Sequence, residues 1–260
     1  MKIISWNVNS LRAREPIIEK IIKTEAPDII CLQELKILDK EYVENFFNQF
    51  SLKTVAETQK SYNGVSVSCK REIVLNETPL RKLNMTQARN NTVVIKDRNL
   101  VILNCYFPNG NPIDTDKFTN KLEWMKLLYR EIEILKKEYE VLLMGDFNVI
   151  PTENDVYDHT RWTDDALFRI ESKKKYRELC NLGFYDAHEF MNKGNVDFTH
   201  WDYQGGAWEK NHGIRIDHIL LSGSACSMIN NFRTHSQTRG LDKPSDHVPV
   251  LASFDINQAQ

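Results

Sequence analysis

Short apolar runs recur along the chain, and several of them end in acidic, amide or imidazole side chains. Runs of this length, bounded by polar residues, predict buried strands. We predict strands at residues 2–8, at Ile29 to Leu32, at Val141 to Met144, at Ile214 to Ser222 and at Val248 to Phe254. Alternating apolar positions predict a half-buried strand through Val65, Val67 and Cys69.

A hairpin and three helices complete the pattern. The runs Val93 to Ile95 and Leu100 to Tyr106 flank a polar turn and predict the hairpin. Proline suits the first turn of a helix, so Glu15-Pro16 predicts the start of a helix with isoleucines on one face. Helical spacing of apolar residues predicts two more helices, at Asp116 to Lys137 and at about Asp164 to Leu182.

The predicted strands outnumber the helices, and short turns join several neighbouring strands. This arrangement favours an α/β sandwich with mixed, mostly antiparallel sheets over a parallel doubly wound fold. No segment rich in proline, glycine or serine interrupts the chain. We therefore expect one domain across residues 1–260.

Composition narrows the possible functions. A net charge of −2 argues mildly against a module that only binds nucleic acid, although an enzyme with a basic rim remains compatible with it. The five cysteines are scattered without a C-x-x-C pair, which disfavours a zinc site or a disulfide framework. No run approaches the ~20 apolar residues of a membrane span. We expect a soluble, cytoplasmic protein that makes no membrane contact.

Candidate chemistry lies at the ends of the predicted strands. Glu34 follows one buried run, Asp146 and Asn148 follow another, and Asp246-His247 precedes the last strand. Carboxylates at the ends of core strands are held rigidly, as a hard metal ion and a phosphate ester require. The pattern therefore indicates a magnesium-dependent phosphodiesterase.

Each of these residues also has a structural interpretation. Glu34 can be the acid at a helix N-terminus or a salt-bridge partner, and Asp146 can close an Asx turn. Asp217 has apolar neighbours and needs a partner, which can be a histidine or an arginine. Glycines near Trp208 favour a loop on which an exposed tryptophan can stack on nucleic acid.

Six motifs in order resemble the exonuclease III family of AP endonucleases, within the endonuclease/exonuclease/phosphatase superfamily. The resemblance is to bacterial members and extends from Lys2 to about Phe254. The motifs are Ile4 to Arg12, Leu32-Gln33-Glu34, Tyr106 to Gly110, Gly145-Asp146-Phe147-Asn148, Arg215-Ile216-Asp217 and Pro244-Ser245-Asp246-His247. The family implies a four-layer α/β sandwich, Mg²⁺ with Mn²⁺ as a substitute, and duplex DNA with an abasic site as substrate.

The resemblance also implies residue roles. Glu34 would be the main metal ligand, with Asp246 and Asn9 nearby. Asp146 would orient or activate the attacking water. The remaining catalytic residues would be Asn7 and Asn148 on the scissile phosphate, His247 oriented by Asp217, and Tyr106 on the phosphate or the leaving group.

Other positions would meet the DNA. Basic candidates for contacts to the DNA backbone are Arg12, Arg14, Arg89, Arg161 and Lys243. A small pocket near Trp201, Trp208 and Ile214 would accept the abasic nucleotide. His200 and Ile214 stand where relatives often carry aromatic residues, so pocket selectivity is where this sequence departs from the family pattern.

The predicted function is hydrolysis of the phosphodiester 5′ to an abasic site, with 3′→5′ exonuclease and 3′-end phosphodiesterase or phosphatase activity. One alternative is an enzyme that is predominantly a 3′→5′ exonuclease. Another is a different metal-dependent phosphoesterase of the superfamily. The complete set of polar strand ends argues against a module without catalytic activity, and we expect a monomer.

Overall fold

A computed structural model describes residues 1–76, 87–192 and 194–255. Its strands, in chain order, are β1 Lys2–Asn7, β2 Ile29–Gln33, β3 Lys53–Glu57, β4 Val65–Cys69, β5 Val74–Leu75, β6 Asn90–Ile95, β7 Leu100–Tyr106, β8 Glu140–Asp146, β9 Phe184–Asp186, β10 Asp217–Ser222, β11 Ile229–Thr234 and β12 Val250–Phe254. The helices are α1 Leu11–Glu25, α2 Lys40–Asn48, α3 Asp116–Leu135, α4 Ile170–Asn181, α5 Ala187–Met191 and α6 Gly223–Met228.

The strands form two six-stranded sheets. The first has the order β11-β12-β1-β2-β4-β3, and the second has the order β5-β6-β7-β8-β10-β9. Neighbouring strands pair antiparallel except for β1 with β2 and β7 with β8, which pair parallel at the centre of each sheet. The predicted mixed, mostly antiparallel sheets are confirmed.

The two parallel pairs bring polar strand ends to one edge of the sandwich. In the first sheet Asn7 is in register with Gln33, the residue before Glu34. In the second sheet Tyr106 is in register with Asp146, which pairs on its other side with Asp217 at the start of β10. The carboxyl ends of parallel neighbours lie together, so the topology gathers these side chains at a single edge.

Three apolar layers hold this arrangement, which gives the predicted four-layer sandwich. The layer between the sheets contains side chains of both, among them Ile3, Val67, Ile102 and Met144. The second sheet buries its other face against α3 and α4, through residues such as Leu128 and Leu179. The first sheet packs its outer face on α1 and α2, where the predicted isoleucine face of α1 is buried.

Several predicted boundaries are wrong, and tertiary or side-chain hydrogen bonds explain the differences. Helix α1 begins at Leu11 and contains Pro16, because the backbone amide of Leu11 donates to the carbonyl of Leu35 and fixes the start earlier. Helix α4 begins at Ile170 and not at Asp164, because Asp165 and Asn111 accept the amides of the preceding turn.

Two strand predictions also need correction. Strand β4 is buried on both faces, because helices cover one side of the first sheet and the second sheet covers the other. Strand β10 begins at Asp217, and Ile214 makes only isolated bridges to Val156 and His200.

Candidate active site

The candidate site lies where the two sheets meet at the edge defined by the parallel pairs. The chain turns sharply there, because Glu34 and Asn148 adopt left-handed backbone conformations with φ of 54° and 48°. These turns come directly after β2 and β8, so each side chain is fixed to the end of a core strand. Rigid support of this kind is what a catalytic arrangement needs.

Asn7 joins the two sheets across the site. Its side-chain amide donates to Glu34 Oε1 at 2.8 Å and to Asp146 Oδ2 at 3.0 Å. Its oxygen accepts the backbone amide of Asn9 at 3.0 Å. Asn7 is fully buried, and Lys36 pairs with the other oxygen of Glu34 at 2.9 Å. Glu34 therefore forms the salt bridge that was considered as an alternative, and it also belongs to the cluster of polar side chains.

His247 lies between two aspartates. Its Nδ1 is 2.8 Å from Asp217 Oδ2, and its Nε2 is 3.7 Å from Asp146 Oδ2. Burial disfavours the charged imidazole, but Asp217 and Asp146 together raise the pKa of His247 above its usual range. Of the two partners predicted for Asp217, the histidine is the one present, and the ring is a cation at neutral pH.

Asp146 is the buried centre of the cluster, with 1% of its surface exposed. Burial, with a smaller contribution from Asp217, raises the pKa of this carboxyl, while His247 opposes the change. The amide of Asn148 donates to Asp146 Oδ1 at 2.9 Å, which is the Asx turn considered as an alternative. Asn148 has a left-handed backbone conformation, which keeps its backbone amide beside the carboxylate of Asp146.

A second set of contacts surrounds Asp246. Asn9 donates to Asp246 Oδ1 at 2.9 Å, and His200 Nε2 lies 3.6 Å from Oδ2. Burial opposes ionisation of Asp246, but the hydrogen bond from His200, the charge of His247 and the bond from Asn9 hold its pKa below the usual range. Asn9 also accepts from Lys36, which links this set to Glu34.

Tyr106 and Arg89 form one wall of the site. The Arg89 guanidinium lies 4.8 Å from the centre of the Tyr106 ring and donates to the Tyr106 carbonyl at 3.3 Å. Burial, followed by the charges of Glu34 and Asp146, raises the pKa of the Tyr106 hydroxyl well above its ordinary value. The phenol is therefore protonated and can donate a hydrogen bond into the site.

Two groups of side chains in the described part of the chain have the spacing to hold a metal ion. One is Glu34, Asp146 and His247, and the other is His200, Asp246 and His247. Of the predicted ligands, Glu34 thus lies in the group with Asp146, and Asp246 lies in the other group, beside His200. Asn9 lies between the two groups through its contacts to Asp246 and Lys36.

The predicted DNA contacts are more dispersed. Arg12 is exposed and lies over the Tyr42 ring, while Arg161 is exposed and 3.4 Å from the Tyr157 hydroxyl. Lys243 is exposed on the loop that leads to Asp246. Arg14 is half-buried and donates to the Tyr203 hydroxyl.

The expectation of an exposed tryptophan is wrong. Trp208 is half-buried, because its ring packs edge-on against Trp201 with 4.9 Å between ring centres. Trp201 and Ile214 are only 3% and 2% exposed. Trp201 and Trp208 pack together, whereas Ile214 packs in a separate apolar cluster with Val156 and Ile216. All three side chains present little free surface to a base.

Sequence reasoning missed Lys121, which is fully buried behind Asn148. Its amine donates to the carbonyls of Asn109, Asn148 and Ala166. The signal was available, because position 121 falls on the apolar face of α3, three residues after Phe118 and four before Met125. A lysine on a buried helical face needs partners.

The fold and the site together define a class of protein. Carboxylates, amides and an imidazolium gathered at one sheet edge of a four-layer sandwich are the groups that a metal-dependent hydrolase of phosphate esters uses. Among the described residues no helix has the length and apolar content to cross a membrane.

The chain belongs to the Endonuclease/Exonuclease/phosphatase family, whose model matches residues 4–247. It is 29% identical to exodeoxyribonuclease III of Haemophilus influenzae, over 98% of this chain and all of that protein. The fold superposes on NExo, a 3′ phosphatase from Neisseria solved with product DNA hairpin, with a TM-score of 0.92, 30% identity and coverage of 98% and 99% of the two chains. An AP endonuclease from Archaeoglobus fulgidus superposes with a TM-score of 0.90 and 28% identity, covering 98% of this chain and all of that one. The chain is a nuclease of this family.

Proposed function

We propose that this nuclease hydrolyses, with Mg²⁺, the phosphodiester 5′ to an abasic site in duplex DNA and also processes 3′ ends. The observation that carries the proposal is the convergence of five side chains at one sheet edge, through three hydrogen bonds and the ion pair between His247 and Asp146. They are Glu34, Asn7, Asp146, His247 and Asp217. Relatives named as exodeoxyribonuclease III and as AP endonuclease support the choice of DNA as substrate.

The donor set fits a hard divalent cation. Because His247 is protonated, the groups free to ligate near it are the carboxylate oxygens of Glu34 and Asp146. Oxygen-only donors are those that Mg²⁺ prefers, and Mn²⁺ accepts the same set. The carboxylate of Asp246 is ionised in this site. Asp246 and Asn9 would contact the cation indirectly, through water molecules bound to it. Stabilisation of negative charge on the phosphate and leaving oxygen is the chemistry that a cation held there supplies.

Asp146 would position the attacking water. Its two oxygens accept from Asn7 and from the amide of Asn148, which fixes the plane of the carboxylate. Without a cation, burial raises the pKa of this carboxyl. With a cation held beside it, this carboxyl would be ionised, because opposite charge favours the charged state, and it could accept the proton of the water.

The remaining residues would bind the phosphate. The His247 imidazolium, held by Asp217, would donate from Nε2 to a phosphoryl oxygen as charge develops. The side-chain amide of Asn148 and the Tyr106 hydroxyl would donate to the other oxygens. Asn7, whose two amide hydrogens are taken by Glu34 and Asp146, would hold these two carboxylates in place. The rim residues Arg12, Arg89, Arg161 and Lys243 would contact the DNA backbone and position the duplex without reading its sequence.

The free-energy cost of extruding a nucleotide from the duplex favours abasic DNA as the substrate. An abasic nucleotide has no base to unstack, so its extrusion costs a few kcal/mol less than that of an intact nucleotide. His200, exposed by about one fifth beside Asp246, would face the extruded sugar. Trp201, Trp208 and Ile214 are largely covered and would support this part of the site without contacting the sugar directly.

A second candidate is an enzyme that acts mainly on 3′ ends as an exonuclease or a 3′ phosphatase. The structural match to the 3′ phosphatase from Neisseria favours it. The catalytic chemistry would be the same, and only the position of the phosphate relative to the strand end would differ. We also propose that one domain spans residues 1–260 and that the protein is a cytoplasmic monomer.

Cleavage of two labelled duplexes tests these proposals. One duplex carries an internal abasic analogue and the other a recessed 3′ end, each incubated with Mg²⁺, with Mn²⁺ and with a chelator. We expect nicking 5′ to the abasic analogue with either ion and none with the chelator. Degradation of the recessed end without nicking would favour the second candidate, and cleavage in chelator would contradict both.

A further inference from the structure

Lys121 occupies an unusual place for a lysine, directly behind the candidate site. It lies in the second turn of α3 with no exposed surface, and its amine points toward the turns that follow β7 and β8. Nothing in the proposed chemistry uses it. A buried cation is costly unless hydrogen bonds or opposite charges compensate it, so its surroundings should reveal its role.

The amine is bound by backbone carbonyls from three separate segments. It donates to Asn109 at 3.0 Å, to Asn148 at 2.5 Å and to Ala166 at 3.3 Å. An ammonium has three donors, and the three carbonyls match this number. Burial lowers the pKa of Lys121 to about 7, and the charges of Asp165 and Asp146 act in the opposite direction.

Two of the three carbonyls belong to residues whose side chains meet at the site. Asn109 donates to Asn148 Oδ1 at 3.2 Å, and Asn148 donates to the carbonyl of Phe107 at 2.9 Å. The left-handed conformation of Asn148 turns its carbonyl toward Lys121 and its amide toward Asp146. One amine therefore holds the carbonyls of the two turns that contain Asn109 and Asn148, and the second of these turns directs its amide to Asp146.

The local sequence accommodates this lysine. Gly110 has φ of 91°, and a Cβ at this position would lie 2.7 Å from Lys121 Cδ and 3.1 Å from Ala166 Cβ. Any other residue at position 110 would push the lysine stem away from the carbonyls. The glycine after Asn109 is thus explained by the path of the lysine as well as by the turn.

We propose that Lys121 is a positioning residue that clamps the turns at Asn109 and Asn148 and so sets the orientation of the Asn148 amide and the Asp146 carboxylate. This inference rests on the proposed function for its effect on rate, but the clamp itself does not depend on it. Displacement of a catalytic group by about 1 Å can cost 10²-fold in rate.

The test compares Lys121→Met with Lys126→Met, a matched control on the exposed face of the same helix. Methionine keeps the volume of the stem and removes the three donors. We expect Lys121→Met to lower kcat on the abasic duplex by about 10-fold to 100-fold, with KM changed less than about twofold, because the rim is untouched. The control should keep parental values.

A readout without metal or DNA separates the clamp from the activity. In a ¹H–¹⁵N spectrum of the metal-free protein, the side-chain amide signals of Asn109 and Asn148 should shift in Lys121→Met and stay in place in Lys126→Met. Titration with abasic DNA gives the active fraction, so a loss of rate caused by misfolding is recognised and corrected.

Two results would overturn the inference. One is unchanged amide signals of Asn109 and Asn148 in Lys121→Met. The other is a kcat per active molecule within about twofold of the parent. If the parent itself shows no cleavage with any divalent ion, the proposed function fails, while the amide signals still decide whether Lys121 holds the two turns.

Discussion

The centre of the site and its rim are built in different ways. At the centre, Asn7, Asp146, Asp217 and His247 are each at most 5% exposed. They form two hydrogen-bonded pairs, Asn7 with Asp146 and Asp217 with His247, and an ion pair of 3.7 Å between Asp146 and His247 joins the pairs. On the rim, Arg12, Arg161 and Lys243 are exposed on turns or at a helix start. The centre is held in place before substrate arrives, whereas the rim can adjust to it.

This difference assigns separate tasks to the two regions. Hydrogen bonds aimed at developing charge accelerate a reaction only if they need no rearrangement, which favours a buried and connected centre. Contacts to the DNA backbone need charge more than fixed geometry, and their strength falls with salt. Substitutions at the centre should therefore change the rate, and substitutions on the rim should change affinity.

The largest effect is expected for Asp146→Asn. The amide keeps the shape of the side chain but cannot accept the proton of the attacking water. We expect the single-turnover rate on an abasic duplex to fall by about 10²–10⁴-fold while DNA binding is retained. Asp97→Asn, an exposed carboxylate at the far end of the β6–β7 hairpin, is the control. A parental rate for Asp146→Asn would remove Asp146 from the mechanism.

The next effect is expected for Asp217→Asn, through the charge on His247. The rate should fall as pH rises through the pKa of His247, which lies above the ordinary value of about 6.5. Because Asp217 raises the pKa of His247, its loss should move the alkaline limb to lower pH and lower the rate by about 10²-fold. An alkaline limb at the parental pH would contradict this coupling.

A smaller effect is expected for Glu34→Gln, which removes a charge from the proposed metal site. The Mg²⁺ concentration for half-maximal rate should rise by at least about tenfold, and high Mg²⁺ should restore part of the activity. Titration of Mg²⁺ against the nicking rate measures both. Equal Mg²⁺ dependence of parent and variant would place the ion elsewhere.

The smallest effects are expected on the rim. Arg161→Gln and Lys243→Gln should each weaken binding to DNA of any sequence, with kcat unchanged. In a plot of the logarithm of the binding constant against the logarithm of the salt concentration, each should reduce the slope by about 1. Fluorescence anisotropy at several salt concentrations is the measurement. A lower kcat with an unchanged salt dependence of the affinity would show that these residues take part in catalysis and not in binding of the DNA backbone.

The sequence predicted the centre better than the rim. Strand ends carry their side chains to places fixed by topology, so the apolar runs that end in Glu34 and Asp146 were enough to indicate a metal-dependent phosphodiesterase. The family resemblance added the pairing of Asp217 with His247. The fold class followed from the same runs. The predicted half-burial of β4 was wrong, because burial of its second face depends on a sheet formed by distant residues.

Features set by local turns and loop packing were beyond the sequence. The left-handed turn at Asn148 accepts a hydrogen bond from Lys121, which lies on helix α3. The residues around position 148 do not indicate this contact. Trp208 among polar neighbours suggested exposure, but Trp201 covers it. The start of α1 depends on a backbone hydrogen bond to Leu35, which propensity alone does not contain.

The most direct test of a single preorganised centre is the double variant Asp146→Asn with Asp217→Asn, compared with each single variant in single-turnover cleavage of the abasic duplex. If the two aspartates act as one unit through His247, the double variant should be no more than about threefold slower than the slower single variant. A rate loss in the double variant equal to the product of the two single-variant losses would show that the two carboxylates act independently. That result would contradict the account.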